Sequence, residues 1–176
     1  MSGHSKWSQI KHKKGFADQK KGKLFSKLSK IIFLAARKGV DPSTNLELKN
    51  AIEQARIFDM PNENIQRAIS KSKDKDLSLL TTVHIEVMGP AGSAFVIEAI
   101  TDNSNRTVAE IKNITNGYGF KMVAPRSLSW MFEQGQGEFT AKNPISLPEE
   151  HSTSLDNFIS EIVEHEDVKE VYSNLK

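Results

Sequence analysis

The feature that most constrains this chain is a change in its hydrophobic period near residue 77. Before that point apolar residues recur at helical spacing. Leu24, Phe25, Leu28, Ile31, Ile32 and Ala35 fall on one face of a predicted helix over 24–38, with Lys23, Lys27 and Lys30 lining the other. Arg37 and Lys38 suit its C-terminus, and Gly39 supplies the stop. After a turn at Asp41-Pro42, a second helix carries Leu48, Ala51, Ile52 and Ala55 on one face and ends before Asp59-Met60-Pro61. Pro61 fits the first turn of a third helix with Ile65, Ala68 and Ile69 inward. Three short amphipathic helices cannot each hide an apolar stripe alone, so a shared bundle core is expected.

Past a linker of alternating Lys and Asp the period becomes two. His84 to Met88 alternates, Gly89-Pro90-Ala91-Gly92 makes a turn, and residues 94–100 form a more apolar strand, which together read as a hairpin. Asp102-Asn103-Ser104-Asn105 offers N-caps to a helix that runs through Val108, Ile111, Lys112 and Thr115 and is closed by Asn116-Gly117. Residues 128–132 and 138–140 read as strands around Gly135-Gln136-Gly137. Leu155, Phe158, Ile159, Ile162 and Val163 give the clearest helical stripe, and 168–172 a final strand. The predicted class is α+β: a basic arm and three-helix bundle (1–76), then an α+β domain (77–176) with helices on one face of a mostly antiparallel sheet.

Charge follows the same division. Residues 1–38 hold eleven Lys and Arg against one acid, whereas the other 138 hold thirteen against twenty-one. A formal net charge of +2 therefore conceals a basic arm, read as flexible over 2–23, on an acidic body. The chain has no cysteine, which excludes disulfides, thiolate zinc sites and cysteine nucleophiles. Its longest apolar run, 31–36, is too short to span a bilayer, and a cytoplasmic location is expected.

Several motifs together resemble one family. Gly3-His4-Ser5-Lys6-Trp7-Ser8-Gln9-Ile10-Lys11-His12-Lys13, Ala36-Arg37-Lys38-Gly39 and Met60-Pro61-Asn62-Glu63-Asn64-Ile65 are similar to the YebC family, which includes the mitochondrial translational activators of cytochrome oxidase. The same holds for the run from Thr101 to Ile111, which contains Asn105-Arg106-Thr107, and for Val168-Lys169-Glu170-Val171-Tyr172-Ser173-Asn174. Between Phe132 and Pro148 the usual member carries an inserted domain, where this chain has room only for a hairpin near 133–147. The resemblance implies a helical N-terminal domain plus an α+β domain, no enzymatic activity, and nucleic-acid contact. It leaves two settings open: DNA-bound transcription control, or work on the ribosome at difficult messages such as consecutive prolines.

The residues support contact with phosphate independently. Lys6, Lys11, Lys13, Lys14, Lys20, Lys21, Lys23, Lys27, Lys30 and Arg37 can neutralise a polyanion and release its counterions. Lysine predominates over arginine, which favours point-charge contact over bidentate reading of guanine and argues for weak sequence specificity. Trp7 has few apolar neighbours in sequence and could stack on an unpaired base or fold back onto the bundle. His12 is a further polar residue of the arm. Arg106, near a helix start, could help hold an anion or pair with Asp102. No nucleophile elbow, zinc-binding helix or metal loop is present, so no catalytic residue, metal or cofactor is expected. The partner expected is DNA or ribosomal or messenger RNA, bound by a monomer. The competing class is an adaptor whose lysines seek an acidic protein.

Overall fold

The computed structural model describes residues 18–73, 79–135 and 138–176, with side chains from residue 21 onward. These residues form two compact units, one from 18–81 with 100–103 and the other from 82–99 with 104–176. The boundary predicted between 76 and 77 falls in 74–78, and the arm over 2–17 precedes residue 18, so both lie outside the described residues.

The helical unit consists of α1 (Asp18–Ala36), α2 (Leu46–Ile57) and α3 (Asn62–Lys71), with α1 packed on both others. Helix α1 begins six residues before the predicted position, so the stretch 18–23 belongs to the helix rather than to a flexible arm. Its one internal glycine, Gly22, costs about 1 kcal/mol relative to alanine. That is too little to stop a helix whose later turns are held by Leu24, Leu28, Ile32, Phe33, Ala35 and Ala36, all buried. A second correction concerns Lys27. It was expected on the solvent face but is only 6% exposed. Three residues after Leu24 and four before Ile31, it borders the apolar stripe instead of opposing it.

Helix α2 buries Leu48, Ala51, Ile52 and Ala55 as predicted, while α3 buries Ile65 and Ala68 and leaves Ile69 half-buried. Asn45 joins the first two helices. Its Nδ2 donates to Ala35 O (2.8 Å) and Gly39 O (2.7 Å), and its Oδ1 accepts from Leu48 N at 3.1 Å as the N-cap of α2. Gly39, at φ 155°, makes the exit from α1 that other residues rarely adopt.

The second unit contains β1 (Thr81–Met88), β2 (Ala94–Thr101), α4 (Ser104–Gly117), β3 (Lys121–Val123), β4 (Phe132–Gly135), β5 (Glu138–Ala141), α5 (Glu149–Glu164) and β6 (Val168–Ser173). Four strands make the main sheet in the order β3-β1-β2-β6, with β1/β3 and β2/β6 antiparallel. Every residue of β2 is buried, because the sheet is covered on both sides. Phe95 meets Phe158 of α5 edge-on at 5.3 Å between ring centroids. Ala94 and Val96, one pleat away, pack with Leu128, Phe132 and Tyr172 on the opposite face. Helix α5 buries all five predicted residues, Leu155, Phe158, Ile159, Ile162 and Val163.

Two local predictions need revision. The hairpin β4-β5 is a separate two-stranded sheet, and the main sheet's extra strand is the unpredicted β3. Residues 128–131 form turns, not a strand, because Glu86 Oε1 and Oε2 accept the N–H groups of Arg126 (2.8 Å) and Leu128 (2.7 Å) and hold the chain in a loop. Helix α4 buries Thr107, Ile111 and Thr115, while Val108 is half-buried and Lys112 exposed. Asn174, 1% exposed, closes the unit. Its Oδ1 accepts from Ala94 N at 2.8 Å and its Nδ2 donates to Gly92 O at 3.0 Å, fixing the end of β6 to the turn before β2.

Candidate nucleic-acid interface

The first candidate surface follows from the way α1 turns. Lys21 and Lys23 are exposed near its start, Lys30 is half-buried farther along, and Arg37 is exposed just past its end. Lys38, beside Arg37, pairs with Glu47 at 2.6 Å, an exposed contact of little energetic weight. Lys6, Trp7, Lys11, His12, Lys13 and Lys14 lie outside the described residues, as does the side chain of Lys20. Residues 21–73 carry eleven basic and five acidic side chains, so the excess of positive charge extends onto the folded bundle.

Along one side of α1, Ser26, Ser29, Lys30 and Phe33 recur at i, i+3, i+4 and i+7 and form one wall of a groove. Asn64, Arg67, Ala68 and Lys71 repeat the same spacing on α3 and form the other. Phe25 and Leu80 complete an open cleft of about 390 Å³. Among the described residues three cations line it and no acid does. Arg67 and Lys71 are exposed and Phe33 is buried, which gives an apolar floor beneath a basic rim. Of these groups only Lys30 was singled out from sequence. The i, i+4 pairing of Arg67 with Lys71 was available there, but not its apposition to α1.

Arg106 belongs to the other unit and to a different kind of site. Its Nη2 donates to Asp167 Oδ2 at 2.9 Å, and Thr107 Oγ1 donates to the same oxygen at 2.7 Å. The Asp167 side chain is wholly buried, whereas Arg106 is 39% exposed. One partner of Arg106 is thus an acid sixty-one residues on, in the turn before β6, which the sequence reading did not name. Asp167 N donates to His165 Nδ1 at 3.2 Å. That ring nitrogen therefore carries no proton, so the proton sits on Nε2, which donates to Glu110 Oε2 at 3.0 Å. Oxygen and nitrogen atoms of Glu110, His165 and Asp167 lie within 4.8 Å of one another, close enough in principle for a cation. The donor set does not fit one, because Nε2 already directs a proton at Glu110 and Asp167 Oδ2 already accepts two hydrogen bonds. The cluster is a tie among α4, α5 and β6.

Buried Glu98 forms a second tie. Its Oε1 accepts from Lys169 Nζ at 3.0 Å and its Oε2 from Tyr172 Oη at 3.4 Å. Burial, reinforced by the neighbouring Glu98 carboxylate, pushes the Tyr172 phenol well above its ordinary value. Among the described residues no helix is long and apolar enough to cross a membrane.

Comparison with known proteins agrees with both units. The model for the N-terminal domain of the TACO1/YebC protein matches residues 5–75, and that for the TACO1/YebC second and third domain matches 80–137. A "probable transcriptional regulatory protein" of Thermoanaerobacter pseudethanolicus is 49% identical over 136 residues, covering 76% of this chain and 55% of the relative. Another with that description, from Dictyoglomus turgidum, is 43% identical over 166 residues, covering 93% and 64%. The chain thus spans under two thirds of the length of these relatives. The crystal structure of the conserved hypothetical protein Aq1575 from Aquifex aeolicus superposes with a TM-score of 0.83 at 26% identity, covering 98% of this chain and 97% of that one. With family matches to both parts and the same fold in a solved structure, the chain belongs to the TACO1/YebC family.

Proposed function

We propose that this protein is a non-enzymatic regulator that grips nucleic acid by its basic N-terminal arm and the exposed lysines of α1, leaving the acidic α+β domain to face other macromolecules. The observation that carries this reading is the segregation of charge: net +10 over residues 1–38 against −8 over the rest. Lys21, Lys23 and Arg37 extend that charge along an ordered helix, which favours a phosphate backbone over a solvated tail. The preponderance of lysine, together with Trp7 in the arm, favours structured RNA, including the ribosome, over fine reading of duplex DNA. The relatives' description as probable transcriptional regulatory proteins supports the DNA setting.

Sedimentation of a cell lysate separates the two. Co-migration with ribosomes that survives DNase and is lost with RNase is the expected result; loss with DNase alone moves the protein to DNA. Binding to purified nucleic acid should also weaken with salt. With about six phosphate contacts, duplex affinity falls on the order of a thousandfold between about 50 and 200 mM salt. Retention on acidic protein but not on nucleic acid would instead identify an adaptor.

A further inference from the structure

We infer that the groove between α1 and α3 holds one unpaired nucleotide of a bound strand, so that the helical unit selects single-stranded over duplex nucleic acid. This deepens the proposed function and rests on it. The occupant is anionic, because exposed Arg67 and Lys71 line the groove and, among the described residues, no carboxylate does. It must also be partly apolar, because buried Phe33 and Ala68 and half-buried Phe25 line the groove. A nucleotide combines the two properties: a phosphate for the rim and an aromatic face for the floor.

Size and shape point the same way. A cleft of about 390 Å³ lies near the lower end of the range for small-ligand sites, which suits a single nucleotide. A duplex presents phosphates on the outside of a rod and keeps its bases stacked, so it cannot fill the cleft or set a phosphate between its walls. Half-buried Asn64, on the α3 wall, offers a donor and an acceptor to a base edge. The cations are placed by helical periodicity on two packed helices, so the bundle core sets the positions of the groove's walls.

The test uses the full chain and fluorescence anisotropy on a short single-stranded oligonucleotide and its blunt duplex. The readout is the ratio of the two affinities, because a general loss of charge lowers both. Base stacking of the usual strength predicts that the unaltered protein prefers the single strand by about 5- to 150-fold. Arg67→Gln with Lys71→Gln, and separately Phe25→Leu, should bring the ratio to near one. Should Phe25→Leu fail to fold, the exposed Arg67 and Lys71 changes still decide the matter. An unaltered ratio in those variants overturns the inference while leaving the proposed function standing. So does displacement of the single strand by poly-glutamate that depends on Arg67 and Lys71, which would make this a groove for acidic peptide. Absence of binding to either oligonucleotide at low salt would instead remove the proposed function and the groove's role together.

Discussion

The two units of this chain use several of their basic residues differently. In residues 21–73 basic side chains outnumber acidic by eleven to five, and Lys21, Lys23, Arg37, Arg67 and Lys71 are exposed. In residues 79–176 the balance reverses to seven against fourteen; most of these charged groups are exposed, but two of the cations reach buried carboxylates. Arg106 reaches Asp167, and Lys169 reaches Glu98. A cation held by a buried carboxylate stabilises the fold and is occupied. One left at the rim of a groove adds little stability and retains its charge for a ligand. Composition alone would place basic residues in both units; their surroundings assign them different work.

The sharpest way to break the comparison is to damage the acidic unit alone. Phe158 is wholly buried and meets Phe120 at 4.7 Å, Phe95 at 5.3 Å and Tyr118 at 5.6 Å between ring centroids. Phe158→Ala should cost about 3–5 kcal/mol of that unit's stability, read by chemical denaturation. Binding of the arm and α1 to nucleic acid at low temperature should persist. Equal loss of both would show that the division of labour is false.

A matched pair of neutralised cations sharpens it further. Arg106→Gln removes a charged hydrogen bond from the buried Asp167 and should destabilise the protein by about 1.5–3 kcal/mol. Lys23→Gln, at an exposed position, should stay within about 0.5 kcal/mol of the unaltered protein yet weaken nucleic-acid binding. Denaturant midpoints and binding isotherms on the same two variants check both halves. A stability cost at Lys23 as large as at Arg106 would mean that the helical unit also uses its cations structurally.

What the sequence disclosed follows from the range of the forces involved. The buried faces of α2 and α5 were legible because a helical stripe is written within one element, and β2 reads as mostly apolar, Glu98 and Thr101 apart, because both its faces are covered. Strand β3 was missed because three residues carry almost no pattern and become a strand only through pairing with β1. The loop over 128–131 looks like a strand in isolation and is held otherwise by Glu86, forty residues before Arg126. At the candidate site, the lysines of α1 were visible as charge, while Lys27's burial depended on its position around the helix. The groove was hidden because it exists only where the α1 stripe meets the α3 stripe.

The smallest expected effect concerns how tightly the acidic unit holds its polar groups, and it can be read from pH. Tyr172 is buried beside Glu98, to which its hydroxyl donates at 3.4 Å, and its ionisation is displaced upward from an ordinary value of 10.0. An acid whose folded-state value is raised binds its proton more firmly in the folded protein than in the unfolded one. Its contribution is therefore complete below about pH 10 and is lost as pH climbs above that value, where only the unfolded chain releases the proton. Tyr172→Phe keeps the ring against Phe139, 5.4 Å away between centroids, and removes both the hydrogen bond and the titration. At pH 7 to 8 the variant should be less stable by about 0.5–1.5 kcal/mol. Above about pH 10 the unaltered protein should lose stability faster than the variant, so the two curves converge. Parallel curves throughout would show that the phenol is solvated in the folded state, and the contrast between buried polar ties in the acidic unit and exposed cations in the basic one would weaken at that position.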